Sequence, residues 1–149
     1  MNRQNKAFQK IFYITYSLLM IISYFAYVFL ESYRMNKSDY WLSKPNLTQQ
    51  DFNNIEIVAS WVLRLEVLIL LVFIIGLLIV IFFFYDRIMQ IKIFLVLNAG
   101  LFSLSVCIGL LFYSSTLTLG NILQPVLLPL LGVFLVGIYL LWLHKGKRR

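Results

Sequence analysis

Glu66 is the residue whose type and position best suit binding or chemistry. It stands directly before Val67 to Phe84, a stretch in which no side chain can carry a charge or form a hydrogen bond. An ionisable group that faces a helix bundle near a membrane edge is costly unless it has a partner, and it is a functional candidate by default. Two interpretations stay open: Glu66 binds a ligand, or it makes a structural hydrogen bond to a tyrosine or reaches water at the headgroup level.

Four other polar residues are expected in the outer half of the bundle, at the depth of Glu66. They are Tyr24, Tyr27, Tyr113 and Gln124. With Glu66 they would form a polar vestibule open to the outside, and Arg34 or Lys44 would serve as the counter-ion.

Residues for catalysis or metal binding are few. The single histidine, His144, lies in a basic tail, and Cys107 is the single cysteine. No Ser/His/Asp set, phosphate-binding glycine loop or cluster of metal ligands is present. Glu66 and Asp86 lie at opposite ends of one predicted helix, which excludes them as an aspartyl pair. The sequence therefore predicts a protein that is not an enzyme and holds no metal or cofactor.

Composition and hydropathy predict an all-α integral membrane protein. Of the 149 residues 61% are hydrophobic, the mean hydropathy is +0.85, and the net charge is +7. The basic residues lie in short flanks and form no continuous patch, which favours contacts with lipid headgroups over nucleic acid. We expect one membrane domain, residues 1–149, forming a four-transmembrane-helix bundle. The predicted spans are residues 11–30, 62–84, 93–113 and 125–143, with an outer loop at residues 31–48.

Span one carries polar-tipped residues on one helical face, which should turn towards the other helices. They are Tyr13, Ser17, Met20, Tyr24 and Tyr27. For Tyr13 and Tyr27 we favour the alternative of an aromatic belt at the two interfaces.

The second helix is expected to begin well before its span. Thr48 and Asp51 match a capping box, which predicts a helix from Gln49 to about Tyr85, roughly 55 Å long against a hydrocarbon core of about 30 Å. Its first turns are amphipathic and should stand outside the membrane or lie along its surface. The packing side carries Phe52, Ile55, Ala59, Val62 and Glu66, and the polar side carries Gln49, Asn53, Glu56, Ser60 and Arg64.

Span three is rich in small and polar residues, and we expect the other helices to pack around it. Its small residues recur at spacings of four, as Ala99, Ser103 and Cys107 and as Ser105 and Gly109. This arrangement lets helices approach closely. Asn98 is interpreted as an amide that joins helices, with a role in substrate passage as the alternative. In span four, Pro125 suits the first turn of the helix and Pro129 predicts a mild kink.

Counting Lys and Arg gives an orientation. Nine flank one side of the predicted spans, namely Arg3, Lys6, Lys10, Arg87, Lys92, Lys145, Lys147, Arg148 and Arg149. Three lie on the other side: Arg34, Lys37 and Lys44. The imbalance predicts a plasma-membrane protein with both termini in the cytoplasm. The layout resembles that of the claudin-like tetraspan group, but the outer loop lacks that group's cysteines, so no site residues can be transferred.

Two functions from different classes remain. The first is an accessory, assembly or immunity-type subunit that binds another membrane protein, or a second copy of itself, through the small-residue face of span three and the projecting helix 49–61. The alternative is a small transporter or channel for a cation or lipid-like solute that uses Glu66 and the tyrosines.

Overall fold

Four α-helices follow one another in the part of the chain that the structure describes. The structure is a computed structural model that describes residues 3–46, 48–84, 87–112 and 118–146. The helices are α1 (Arg3–Leu42), α2 (Gln49–Phe83), α3 (Arg87–Leu111) and α4 (Leu119–Gly146). Each is long and apolar enough to cross a membrane. The prediction of an all-α chain with four helices long and apolar enough to span a membrane is therefore confirmed.

Consecutive helices run in opposite directions. The ring of Phe8, near the start of α1, lies 6.1 Å from that of Phe84, which follows the end of α2. At the other end of the bundle, the Tyr27 hydroxyl of α1 donates to the backbone carbonyl of Asn121, near the start of α4. We call the first the terminal end, because α1 begins and α4 finishes there. The other is called the extension end.

The central helix is α2, and the expectation that the others pack around span three was wrong. α2 packs against α1, α3 and α4, and its pairing with α1 is the most extensive in the bundle. Its buried apolar line recurs at spacings of three, four and seven residues: Val62, Ile69, Phe73, Gly76 and Val80. Large side chains on this line fill the core, and small residues on α3 do not offer the same contact area.

Two glycines allow close approach to α2. A Cβ atom at Gly76 would lie 2.6 Å from Cε2 of Tyr16 on α1, and one at Gly132 on α4 would lie 2.7 Å from Cε1 of Phe73. Each glycine therefore provides the flat surface on which an aromatic ring of a neighbouring helix rests.

Residues 31–42 are helical, so the predicted outer loop 31–48 was wrong over most of its length. α1 continues without a break to Leu42, and its 40 residues span about 60 Å. The polar segment stays helical because it packs beside the first turns of α2, where Trp41 is buried. We call residues 31–42 together with residues 49–65 the helical extension.

The start of α2 is capped as the sequence predicts. The Asp51 amide donates to Oγ1 of Thr48 at 3.2 Å, and the Thr48 amide donates to Oδ2 of Asp51 at 3.1 Å. Lys44 Nζ also lies 2.7 Å from Oδ1 of Asp51, and this hydrogen bond raises the pKa of Lys44. The predicted polar side of the helix is largely exposed, but so is Phe52, which was expected to pack.

Helix α4 begins at Leu119, so the placement of Pro125 in the first turn of its helix was wrong. Pro125 lies in the second turn. Proline has no backbone N–H, so the carbonyl four residues earlier, that of Asn121, lacks its usual helical donor. This carbonyl becomes part of the site described next.

Candidate functional site at the extension end

Polar side chains of α1, α2 and α4 form a cluster at the extension end, namely Tyr27, Glu31, Arg34, Glu66, Asn121 and Gln124. Glu31 is the most deeply buried charged residue of this cluster. Its side chain is 1% exposed, and both of its oxygens accept from Arg34 one turn further along α1. The distances are 2.7 Å from Nε of Arg34 to Oε2 and 2.5 Å from Nη2 to Oε1. Oε1 also accepts from Nδ2 of Asn121 on α4 at 2.7 Å. Two-point contact with a guanidinium is among the strongest pairings for a carboxylate.

Glu66 joins this cluster from α2. Its half-buried carboxylate lies close to Gln124 of α4 and Tyr27 of α1, and it lies in the electrostatic field of Glu31 and Arg34. Glu66 therefore meets groups from both neighbouring helices at the level where the helical extension begins. Two carboxylates and one guanidinium give the cluster one excess negative charge when all are ionised.

Tyr27 replaces the hydrogen bond that Pro125 removes from α4. Its hydroxyl donates to the Asn121 carbonyl at 2.7 Å, and its side chain is 1% exposed. A freed backbone carbonyl that is buried away from bulk water needs another donor, and here a neighbouring helix supplies it. The aromatic-belt interpretation of Tyr27 was wrong, because the ring is buried between helices.

Tyr24 makes a parallel contact one turn earlier on α1. Its hydroxyl donates to the carbonyl of Ile122 at 3.0 Å. Gly109 of α3 faces the same position, where an added Cβ would lie 2.9 Å from the Tyr24 hydroxyl. Tyr24 of α1 therefore contacts both α3 and α4 where the three helices meet.

The predicted vestibule is brought together in part. Glu66, Tyr27 and Gln124 meet, and Tyr24 lies on the adjoining turn of α1. Arg34 is present but is bound to Glu31, and Lys44 lies elsewhere, on Asp51. Tyr113 lies outside the described residues.

Sequence reasoning missed Glu31 and Asn121. Glu31 was assigned to a loop, although its position continues the helical face of Tyr24 and Tyr27 at spacings of seven and four. Arg34, three residues later, was a second signal for a local ion pair. Asn121 was missed because its role depends on the distance between α4 and α1, which the sequence does not specify.

Asn98 joins α1 and α3 nearer the terminal end. Its Oδ1 accepts from the Tyr16 hydroxyl at 2.6 Å, and its Nδ2 donates to the Phe94 carbonyl at 2.8 Å. Both side chains are buried. These contacts are those of an amide that holds two helices together, and Tyr16 is a further core residue that the sequence analysis did not single out.

The small residues of α3 divide into two groups. Ser105 and Gly109 are buried in the bundle, whereas Ala99, Ser103 and Cys107 are exposed. A Cβ atom at Gly100 would have no neighbour within 4 Å. We call Ala99, Gly100, Ser103 and Cys107 the α3 strip, because they form a narrow outward surface without large side chains.

The chemistry of the cluster at the extension end is that of a satisfied polar network. Among the described residues no buried side-chain nitrogen or oxygen lacks a partner. In the same part of the chain, no three His, Cys, Asp or Glu residues converge in a way that would hold a metal ion. The arrangement fixes helices α1, α2 and α4 relative to one another.

Comparisons of the chain with protein-family models, with curated proteins and with solved structures found no match. Any functional conclusion therefore depends on the geometry of this chain alone.

Proposed function

We propose that the protein is a non-enzymatic subunit of the plasma membrane that binds another membrane protein through the α3 strip. The observation that carries this proposal is the exposure of the strip residues, Ala99, Gly100, Ser103 and Cys107, along a spanning helix. Small residues allow a second helix to approach closely enough for extensive van der Waals contact. Ser103 hydrogen-bonds to the Ala99 carbonyl of its own helix, so its hydroxyl does not protrude.

The cluster at the extension end supports the same proposal indirectly. Glu31, the most buried of its charges, is paired within the bundle, and Asn98 is likewise occupied. The polar groups in the interior thus serve the fold, which leaves the outward surfaces for function.

The orientation in this proposal comes from charge. Nine Lys and Arg residues flank the terminal end, against three in residues 31–48. The positive-inside rule then places the terminal end in the cytoplasm and the helical extension outside. The helical extension is long enough to reach beyond the lipid and contact the external part of a partner.

A small transporter is the second candidate, and one observation favours it. Glu66 is only half-buried, and it lies at the junction of α1, α2 and α4 beside Glu31 and Arg34. The buried hydroxyls of Tyr24 and Tyr27 lie on the inward face of α1 next to this junction. A cation-binding group at such a junction is a recurrent feature of transport proteins.

One experiment on two variants separates the candidates. Gly100→Leu places a large side chain on the α3 strip and should block the close approach of a partner helix. Gly137→Leu is its matched control on α4, because an added Cβ at either glycine meets nothing within 4 Å. Each form is cross-linked in native membranes, and its cross-linked species are identified by mass spectrometry. The proposal requires a defined partner, another protein or a second copy of this chain, that Gly100→Leu loses and Gly137→Leu keeps.

The transporter is tested on the purified protein in liposomes. Cation flux that is present in the wild type and lost in Glu66→Gln would contradict the subunit proposal. A stoichiometric partner without flux would contradict the transporter.

A further inference from the structure

The helical extension carries a row of alternating tyrosines and lysines on one side of α1. Tyr33, Lys37 and Tyr40 lie at spacings of four and three, which places them on one helical face. Lys44 follows just after the end of the helix. We call these four residues the tyrosine–lysine ladder.

The ladder is ordered by contacts between its own members. Lys37 Nζ lies 5.9 Å from the ring centroid of Tyr33 and 5.7 Å from that of Tyr40. Lys44 Nζ lies 5.3 Å from the Tyr40 ring. A cation within about 6 Å of an aromatic ring is attracted to its face, so each lysine helps to hold the rings in place.

The ladder is exposed, and the ammonium group of one of its lysines has no carboxylate partner among the described residues. Tyr33 is 44% and Tyr40 59% exposed, and Lys37 is exposed as well. The ion pairs among the described residues involve Lys44 and Arg34 but leave Lys37 without a carboxylate. The ladder side chains thus remain accessible, whereas Trp41, at the edge of the same helical face, is buried.

We propose that the tyrosine–lysine ladder binds an acidic segment of the partner protein, with a carboxylate on Lys37 and flanking contacts from Tyr33 and Tyr40. This inference rests on the proposed function, because it requires a partner protein. Tyrosine is one of the residue types that most often dominate binding energy at protein interfaces. The unpaired ammonium specifies the complementary charge.

The position of the ladder favours a protein over a lipid headgroup. Lys37 and Tyr40 lie seven and ten residues beyond Leu30, the end of the predicted span, which corresponds to about 10 Å and about 15 Å along the helix, whereas Tyr33 lies about 5 Å beyond it. The headgroup layer on each side of a bilayer is only about 5–8 Å thick. The ladder is also pre-organised, because the capping box and the ion pair of Lys44 fix the end of the extension, so little ordering cost opposes binding.

The test uses photocross-linking from within the ladder. Tyr33 is replaced by benzoylphenylalanine, which keeps an aromatic ring there, and the full-length protein is irradiated in native membranes. Mass spectrometry then identifies the cross-linked peptide. The inference expects a peptide of another protein with Asp or Glu close to the cross-linked atom.

Charge variants in the same background make the test specific. Lys37→Glu should lower the cross-linking yield by about tenfold or more, as expected for a residue that dominates binding. Asp39→Lys, an exposed charge two residues away on another side of the helix, should leave the yield unchanged. Replacing the Asp or Glu identified in the partner peptide by lysine should restore cross-linking between the partner and the Lys37→Glu variant.

Failure of the two proposals can be told apart. If Gly100→Leu loses a partner but Lys37→Glu cross-links as well as the wild type, the ladder inference is wrong and the subunit proposal stands. Cross-linking to lipid or to an anionic polymer would also overturn the ladder inference. If neither the wild type nor the cross-linker variant captures a protein, both proposals fail.

Discussion

The Tyr27 hydroxyl donates to the Asn121 carbonyl, which Pro125 leaves without a helical donor. A break in one helix is thus repaired by a side chain of another. This pairing lies one turn from the Glu31 and Arg34 ion pair, and it joins α1 to α4 where few other contacts do.

Tyr27→Phe should lower the free energy of unfolding by about 1 kcal/mol, the usual range for a hydrogen bond between membrane helices. Pro125→Ala restores a backbone N–H, so the double variant should lose less than the two single variants combined. Unfolding in mixed micelles measures all four forms as a double-mutant cycle. Additive effects would show that the tyrosine does not compensate for the proline.

Gly76→Ala should destabilise the bundle by about 1–3 kcal/mol, since the new methyl group would overlap the Tyr16 ring. That ring cannot easily move, because its hydroxyl is bound to Asn98. The control is Gly137→Ala, which meets no atom within 4 Å and should be neutral or slightly stabilising. Equal unfolding free energies for the two variants would contradict the close packing of α1 on α2.

Glu31→Gln should cost about 2 kcal/mol of stability, because it leaves the Arg34 guanidinium without its buried counter-charge. Glu66→Gln keeps a polar side chain of the same size beside Gln124 and Tyr27 at a half-buried position, and it should change stability by less than about 0.5 kcal/mol. The same micelle unfolding assay compares the two. A larger loss for Glu66→Gln would make Glu66 the main structural acid of the cluster.

Thr48→Ala removes the side-chain acceptor of the Asp51 amide, and it should weaken the first turn of α2 by about 1 kcal/mol. Hydrogen exchange should then accelerate in residues 49–53 and stay unchanged in the buried half of α2. Thr48→Ser keeps the hydroxyl and serves as the control. The ion pair raises the pKa of Lys44 and lowers that of Asp51 to about 2, so its contribution should persist through neutral pH. It should be lost as the pH rises into the alkaline range, and also in strong acid, where Asp51 becomes protonated.

The features that the sequence predicts correctly are those encoded locally. A run of apolar residues identifies a spanning helix whatever surrounds it, and the Thr48 and Asp51 pair acts within one turn. Both predictions were confirmed. The inward face of span one was recognised from spacing alone, and Tyr24 lies on it as expected.

The errors concern features that depend on neighbouring helices. Residues 31–42 read as a loop because they are polar, yet they stay helical beside the first turns of α2. The sequence alone favours Tyr27 as an aromatic-belt residue, because it does not show that Asn121 lies beside it. That the Asn121 carbonyl lacks a helical donor becomes clear only when α4 is known to begin at Leu119, which places Pro125 inside the helix. Small residues on α3 indicate close packing, but they do not say whether the partner is in the same chain. Ser105 and Gly109 pack against helices of the same chain, whereas Ala99, Ser103 and Cys107 face away from the bundle.

The Glu31 and Arg34 ion pair has a consequence for biogenesis. Acid and base lie three residues apart on one helix, so they can neutralise each other as soon as α1 is synthesised. The first helix can therefore enter the bilayer without an uncompensated charge at that level, before α4 exists to supply Asn121. Insertion of α1, unlike assembly of the whole bundle, therefore need not wait for α4 to leave the ribosome.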